Sequence, residues 1–384
     1  MKNTFGNSIS ITLFGESHGA QIGAVLDGLA PGITIDEEFI RAQLDKRRPV
    51  GKIGTARHEA DAYQIVSGVF EGKTTGTPLT ILIPNTAQHS KDYAATRSLA
   101  RPGHADYTAY AKYHGYEDYR GGGHFSGRIT AALVAAGAIV ISALRDKGIE
   151  IGTHIRSCGG VADIDFGDIK TDIAKLNTLD FSVLDSEKGE EMKAQIEEAA
   201  KDGDSVGGVL ETAVIGMPAG VGEPWFDTVE GVLSHALFSV PAVKGVEFGD
   251  AFAMVNGRGS DYNDSYYIVR KGHCEAATAA VAISTDYEIK TTTNHNGGVN
   301  GGITNGMPIV FRCAVKPTPS IFKAQDTIDF IKGENSVLEL KGRHDPAVIH
   351  RARVVVDSVT ALALADLLTQ RYGTDWLVSR CDSE

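Results

Sequence analysis

Four segments of this chain combine glycine with imidazole or charged side chains in a way that a solvated surface does not require. GESHG (15–19) holds Glu16, Ser17 and His18, and DKRRPVGKIGTARHEAD (45–61) carries Arg47, Arg48, Lys52, Arg57 and His58. RPGHADYTAYAKYHGYEDYRGGGHFSGRIT (101–130) holds Arg101, His104, Asp106, Arg120, His124, Ser126 and Arg128; KGRHDPAV (341–348) holds Lys341, Arg343, His344 and Asp345. Glycine lets a backbone come close to a ligand, and the arginine fork matches carboxylate and phosphate oxygens two at a time. Gathered in the loops of an acidic protein, these arginines point to an internal site for a small polyanion; taken singly, each could equally be a surface ion pair. His18 and His104 each sit beside an acidic residue and glycines, where an imidazole can be placed for proton transfer. His124 and His344 are weaker candidates, and the remaining histidines read as structural.

GESHG matches G-x-S-x-G, the nucleophile elbow of serine hydrolases. That elbow needs a helix after the serine and earlier strands for the oxyanion hole. Here only sixteen residues precede Ser17, and QIGAVLD behind it alternates as a second strand, so GESHG reads as a glycine-bracketed hairpin turn. A metal site drawn from His104, Asp106, His344 and Asp345 is conceivable, but the cationic neighbours oppose a divalent ion. Two more stretches suit phosphate or cofactor handling. NHNGGVNGGITNG (294–306) offers backbone N–H groups, and KPTPSI (316–321) sets Lys316, Thr318 and Ser320 on a proline-stiffened segment after a strand. Neither fits G-x-G-x-x-G before a helix or the P-loop, which disfavours a Rossmann site or an NTPase.

The elements that must position these residues follow from periodicity and punctuation. After the opening hairpin, Asp36 caps a helix EEFIRAQLDKRR that Pro49 stops. Strands at 62–70 and 78–84 flank EGKTTGT. Helices are expected near 105–114 and 128–147 (with Gly148 as its cap), near 227–238, and at about 352–371 before Gly373. Strands are expected at IEIGTHIRS, VGGVLETAVIG, KGVEFGD and PIVFRCAVKP, and a polar helix ends the acidic stretch from Ala162 to Asp204. Hairpins outnumber strand-helix-strand units, so the fold class is α+β with antiparallel sheets. No linker divides the chain, giving one large domain over 1–384 with 162–204 as its most peripheral part.

With 384 residues, 42% hydrophobic and a formal charge of −12, the chain reads as a soluble globular protein, and its field repels nucleic acid and anionic membranes. The run AALVAAGAIVISAL (131–144) is read as too short and too rich in alanine and glycine to span a bilayer, hence a buried core helix. Cys158, Cys274, Cys313 and Cys381 lie far apart with no zinc or disulfide spacing, which fits a reducing cytoplasm.

In this order the segments resemble the chorismate synthase family. The likeness is carried by GESHG, RRP followed by Arg57, FEGKTTGTPL, NTAQHSKDY, RPGHADY, YRGGGHFSGR, GDSVGG, GMPAGVGEPWFD, KGVEFGD, NGGVNGGI, KPTPSI and GRHDP, over roughly residues 5–370. The resemblance implies a sandwich of antiparallel sheets with central helices, assembled as a homotetramer. It implies a lyase that uses reduced FMN, without net redox change, to convert 5-enolpyruvylshikimate 3-phosphate to chorismate and phosphate, in the shikimate pathway to aromatic amino acids. NADP belongs to the family's associations, yet no further domain with a nicotinamide fingerprint is visible, so an external flavin reductant is expected. Carried over by position, Arg48, Arg57, Arg101, Arg128 and Arg343 would hold the substrate anions. His18 would assist phosphate departure as general acid, His104 would manage flavin protonation, and Asp345 would help with the proton removed at or near flavin N5. Ser126, Lys316, Thr318, Ser320 and Arg343 would contact FMN, with Gly301 and its loop against it. The chain departs from the family at His124 and Phe125, where many members have arginine and a small residue. It is also longer across 259–298, and no flavin contact is assigned between 259 and 294. A non-catalytic sensor of flavin or of a phosphorylated acid is the alternative of a different class.

Overall fold

The computed structural model describes residues 2–48, 53–54, 61–86, 97–270, 287–340 and 344–378. Strands Ser10–Gly15 and Gln21–Asp27 form the opening hairpin, pairing Ser10 with Asp27 and Gly15 with Ile22. Their inward residues Ile11, Ile22, Ala24 and Leu26 are buried, as the alternation requires. Thr4–Phe5 extends the hairpin on one side, and Leu79–Pro84 and then Gln64–Ser67 on the other, all antiparallel. A second antiparallel sheet runs Val243–Phe248, Ile309–Val315, Gly208–Ile215, Glu150–Cys158 and Val161–Ala162.

Helix α1 (Glu37–Asp45) starts where the Asp36 carboxylate accepts from Phe39 N–H at 2.9 Å. Helix α2 spans Asp106–Tyr113 and α3 spans Thr130–Arg145, its chain turned by Gly148 at φ 75°. The acidic region contains α4 (Ile169–Leu176), absent from the sequence reading, as well as α5 (Ser186–Lys201). It is an outer layer tied to the body: Ile173, Leu176, Met192 and Ile196 are fully buried, α4 packs on Glu150–Cys158 and Gly208–Ile215, and α5 on Glu150–Cys158 and its short neighbour Val161–Ala162. Helix α6 (Val229–Leu237) and the single turns α7 (Ala251–Met254) and α8 (Gly259–Tyr262) precede α9 (Ile349–Tyr372). After α8 comes an antiparallel ribbon, Tyr266–Arg270 with Tyr287–Thr291.

Two helices fill the space between the sheets. α3 lies against the first sheet, α9 against the second, and the two pack on each other. Gly127–Arg145 is in fact long and apolar enough to cross a membrane; here 83% of that stretch is buried inside the protein, so its apolar surface is spent on the core. Alanine and glycine permit the close contact. A Cβ on Gly137 would lie 2.4 Å from Ser358 Cβ and 2.8 Å from its Cα. Along α9 several polar groups are matched by other segments. Asp357 accepts from Thr153 Oγ1 at 2.6 Å, Arg353 donates to the Leu176 and Leu179 carbonyls, and Asp366 accepts from the N–H groups of Asn7, Ser8 and Ile9.

Two outcomes follow. Gly137→Ala should destabilise by about 1–3 kcal/mol in denaturant unfolding, because overpacking against the α9 backbone outweighs a gain in helix propensity of about 1 kcal/mol; equal or greater stability would refute the close contact. His350, buried beside Phe181, has its pKa lowered from 6.5 to about 4 by burial and by Arg351. Below pH 6.5 the unfolded chain binds a proton there that the native state takes up only near pH 4, so stability should fall as pH drops through that window. His350→Leu should flatten the fall, and an unchanged slope would assign the acid sensitivity elsewhere.

Candidate functional site

The opening hairpin ends in the turn that carries His18. Gly15 opens it at φ 96°, where a Cβ would lie 2.4 Å from the Gln21 carbonyl oxygen. Asn85 spans the turn, donating to the carbonyls of Glu16 and Gly19 at 3.0 Å each. Ser17 and His18 are buried. The Ser17 hydroxyl donates to the Arg120 carbonyl at 3.1 Å and lies 3.2 Å from His18 Nδ1. With its one hydrogen committed, that hydroxyl accepts from Nδ1–H, which sets the tautomer of the neutral ring. A strand, not a helix, follows the turn, so GESHG is not a nucleophile elbow.

Three glycines lie against this turn. Gly121, Gly122 and Gly123 all have positive φ, at 59°, 90° and 53°. A Cβ on Gly121 would lie 2.2 Å from His18 Cε1, and one on Gly122 would lie 3.2 Å from His104 Cε1. Successive residues of one loop therefore touch the two imidazoles that the sequence singled out. The Gly123 carbonyl accepts from Ser17 N–H at 3.1 Å, and His124 Nδ1 donates to the Gly15 carbonyl at 2.8 Å. Ser126 then caps the turn before α3, its Oγ accepting from Arg128 N–H at 3.2 Å.

His104 belongs to a loop stiffened by an ion pair. The Arg101 guanidinium grips Asp106, the first residue of α2, with Nε at 2.8 Å and Nη2 at 2.6 Å, and His104 Nδ1 lies 3.2 Å from the same carboxylate. Burial opposes ionisation of Asp106, but the hydrogen bonds and charges of Arg101 and His104 win and hold its pKa well below the usual carboxylate range. KPTPSI meets this loop where Lys316 Nζ donates to the Gly103 carbonyl. Lys316 N–H is itself held by the carbonyl of Ala242, a non-glycine residue at φ 75°. Phe322 packs on His344 with ring centroids 5.4 Å apart. Burial and the nearby Arg101 charge lower the pKa of His344, so its ring stays neutral at pH 7. Asp345 pairs with Arg351, which also donates to the Arg47 carbonyl at 2.6 Å. Thr318 Oγ1 and His344 Nε2 are buried with no hydrogen-bond partner among the described residues. Native proteins rarely leave such atoms unmatched; other buried atoms here, His350 and Thr360 of α9 among them, share the property, and these two differ in lying at the KPTPSI and His344 loops.

The other expected residues are placed less uniformly. Arg48 pairs with Asp45 at 2.8 Å and is partly exposed, while Ser320 is buried beside the KPTPSI turn. Arg128 differs from a guanidinium aimed only at ligand. It is buried, with bonds to the Asp61 carboxylate, Asn85 Oδ1 and the Pro84 carbonyl. Gly301 is not brought beside Lys316 within the chain. Its hairpin, Val299–Asn300 with Ile303–Thr304, lies on the Pro308 side of strand Ile309–Val315 and bonds to Gly220, Val221 and Val229, whereas Lys316 follows the strand's other end. Arg57 and Arg343 lie outside the described residues. Sequence reasoning missed Asn85, Asp61 and Ala242, which act through folded contacts; the only local signal was a polar residue just past a strand end at Asn85. Among the described residues no three histidine, cysteine or carboxylate side chains meet to hold a metal ion.

Two imidazoles held against one glycine loop, beside loops that carry Arg101 and Lys316, outline a candidate active site. Comparison with known proteins makes this specific. Residues 9–369 match the family model described as chorismate synthase. The chain is 44% identical over 367 residues to the chorismate synthase of Lachnoclostridium phytofermentans, covering 95% of each. It is 43% identical over 373 residues to that of Thermococcus gammatolerans, covering 97% of this chain and 99% of the relative. A crystal structure of a chorismate synthase superposes with a TM-score of 0.72 at 29% identity, covering 96% of this chain and 94% of the other. The chain belongs to the chorismate synthase family and is a lyase.

Because the triple-glycine loop has no room for a side chain against His18, Gly121→Ala should displace the imidazole as well as incur the roughly 1–2 kcal/mol cost of a left-handed alanine. The expected result is a clear loss of turnover with cooperative melting retained; undiminished turnover would show that the loop does not set the position of His18.

Proposed function

We propose that this site eliminates phosphate from 5-enolpyruvylshikimate 3-phosphate, giving chorismate, and that it does so with reduced FMN bound. The observation that carries this reading is the contact of His18 and His104 with adjacent glycines of one loop. It puts two proton-handling groups beside the cationic loops of Arg101 and Lys316. The unmatched Thr318 hydroxyl and His344 nitrogen fit a bound polar group, and Ser126, Lys316, Thr318, Ser320 and Arg343 are the residues we assign to FMN.

When bound, reduced FMN supplies transient electron density for the elimination and is recovered unchanged. The chain's own groups do the rest. Arg48, Arg57, Arg101 and Arg343 hold the phosphate and two carboxylates, and Arg128 presents its charge from beneath while fixing Asn85. As the carbon–oxygen bond breaks, the phosphate leaves with the electron pair and His18 Nε2 delivers a proton to its oxygen. The carbon–hydrogen bond across the ring yields the pair that forms the new double bond, and its proton passes to Asp345, which Arg351 holds in place. His104, fixed by Asp106, manages the protonation state of the cofactor.

Gly301, distant from Lys316 in its own chain, is left as a contact that a second copy would supply in the homotetramer the family resemblance implies. The exposed Tyr266, Ile268 and Ile289 of the ribbon provide apolar surface for self-association. The free thiols of Cys158 and Cys313 suit the cytoplasm, and an external reductant, ultimately NADP-linked, would reduce the flavin.

The test is anaerobic: purified protein with the substrate, with and without chemically reduced FMN, following chorismate absorbance and released phosphate. Product only with reduced FMN is the expected result; binding without product would make this a sensor. His18→Ala and His104→Ala should each cut turnover by roughly 10²–10⁴ with the fold intact, and full activity in either variant would remove that residue from the mechanism.

A further inference from the structure

The position after the three glycines carries a histidine that the reaction scheme does not use. A run of glycines is costly to fix, since glycine gives up more backbone freedom on folding than any other residue. Something beyond the run must hold it, and His124 is its first side chain. His124 Nδ1 lies 2.8 Å from the Gly15 carbonyl oxygen. A carbonyl oxygen only accepts, so Nδ1 carries the hydrogen and the tautomer of the neutral ring is set. The acceptor is itself immobile: Gly15 is paired with Ile22 at the end of the hairpin and has no room beside Gln21.

One residue earlier a second bond crosses in the opposite sense, from Ser17 N–H to the Gly123 carbonyl at 3.1 Å. The two bonds clamp residues 15–17 to residues 123–124, and His18 is the next residue along. Phe125 leans the other way. Its ring meets Tyr113 of α2 edge-on at 6.1 Å, and α2 is the helix headed by Asp106, the partner of His104.

We propose that His124 is a positioning residue, which holds the His18 turn at a fixed place relative to the α2 and His104 side through its hydrogen bond to Gly15. This rests on the reading of His18 as the proton donor to the leaving phosphate. His124 acts through His18 and touches no reacting atom.

The test uses the full-length enzyme with reduced FMN and substrate. His124→Phe keeps a ring but removes the donor, and His124→Asn puts an amide donor back at the same branch position. His124→Phe should lower kcat by about ten- to a hundredfold, the scale of a small misplacement of a catalytic group, with KM changed little. His124→Asn should recover most of the loss. In a His18→Ala background, His124→Phe should have no further effect, because residues acting through one group are not additive. A purely structural role would show none of this pattern. If His124→Phe fails to melt cooperatively, His124→Gln, whose amide reaches one bond too far, takes its place in the comparison. Unaltered kcat, no recovery with asparagine, or a full additional loss in the His18→Ala background would each overturn the proposal. Wild-type enzyme that forms no chorismate would instead sink the reading of the site, and this inference with it.

Discussion

One buried carboxylate joins the parts of this molecule that have to agree. Asp61 receives Arg47 at 2.9 Å through one oxygen and Arg128 through the other, all three side chains being buried. Arg47 also donates to Thr130 Oγ1 and the Gly127 carbonyl, so the end of α1 is bound to the start of α3. Arg128 passes the constraint on to Asn85, and Asn85 to both carbonyls of the His18 turn. Breaking such a pair from one side costs about 3–5 kcal/mol, because a charge is left buried without its partner. The position of His18 thus depends on a carboxylate in another segment of the chain, and the sheet, the core helix and the His18 turn are registered against one another through it.

Around that anchor the site is built from backbone more than from side chains. The glycine loop supplies no functional group; what it supplies is proximity, with the neighbouring segments set by bonds to its carbonyls. The Arg101–Asp106 pair does the same for the second imidazole, fixing its loop to the first turn of a helix. Lys316 spends a charge-assisted bond on the Gly103 carbonyl, which ties the proposed cofactor loop to the proposed proton-transfer loop. Proximity of this kind is worth several kcal/mol to a reaction only when it is rigid.

Local pattern revealed much of this. Alternation in Ile9–Leu13 and Ile22–Leu26 announced the hairpin, Asp36 marked the start of α1, and the alanine-rich run announced a buried helix. The residues His18, His104, Arg101 and Lys316 stood out because glycine and proline punctuate their loops. What could not be read was pairing over distance. Asp61, Asn85 and Ala242 carry no periodic signal, since their partners are set by tertiary structure. The contacts of Arg128 with Asp61, Asn85 and Pro84 were not legible, because sequence records its charge and not what surrounds it. Gly301 and Lys316 look like neighbours in a list of motifs, but the length of strand Ile309–Val315 separates their segments. α4 was hidden in an acidic stretch whose two buried anchors, Ile173 and Leu176, are too few to stand out.

The pairing of α3 with α9 also has a consequence for how the chain is made. The apolar surface of α3 is complete once residue 145 is synthesised, but the helix that covers it begins at residue 349. The N-terminal strand waits as well, because the N–H groups of residues 7–9 are satisfied by Asp366. On the ribosome, therefore, the α9-facing side of a stretch apolar enough for a membrane remains without its native cover for some two hundred residues of synthesis. At about 5–20 residues per second that is tens of seconds during which shielding by chaperones, and not the stability of the finished core, governs the yield of folded enzyme.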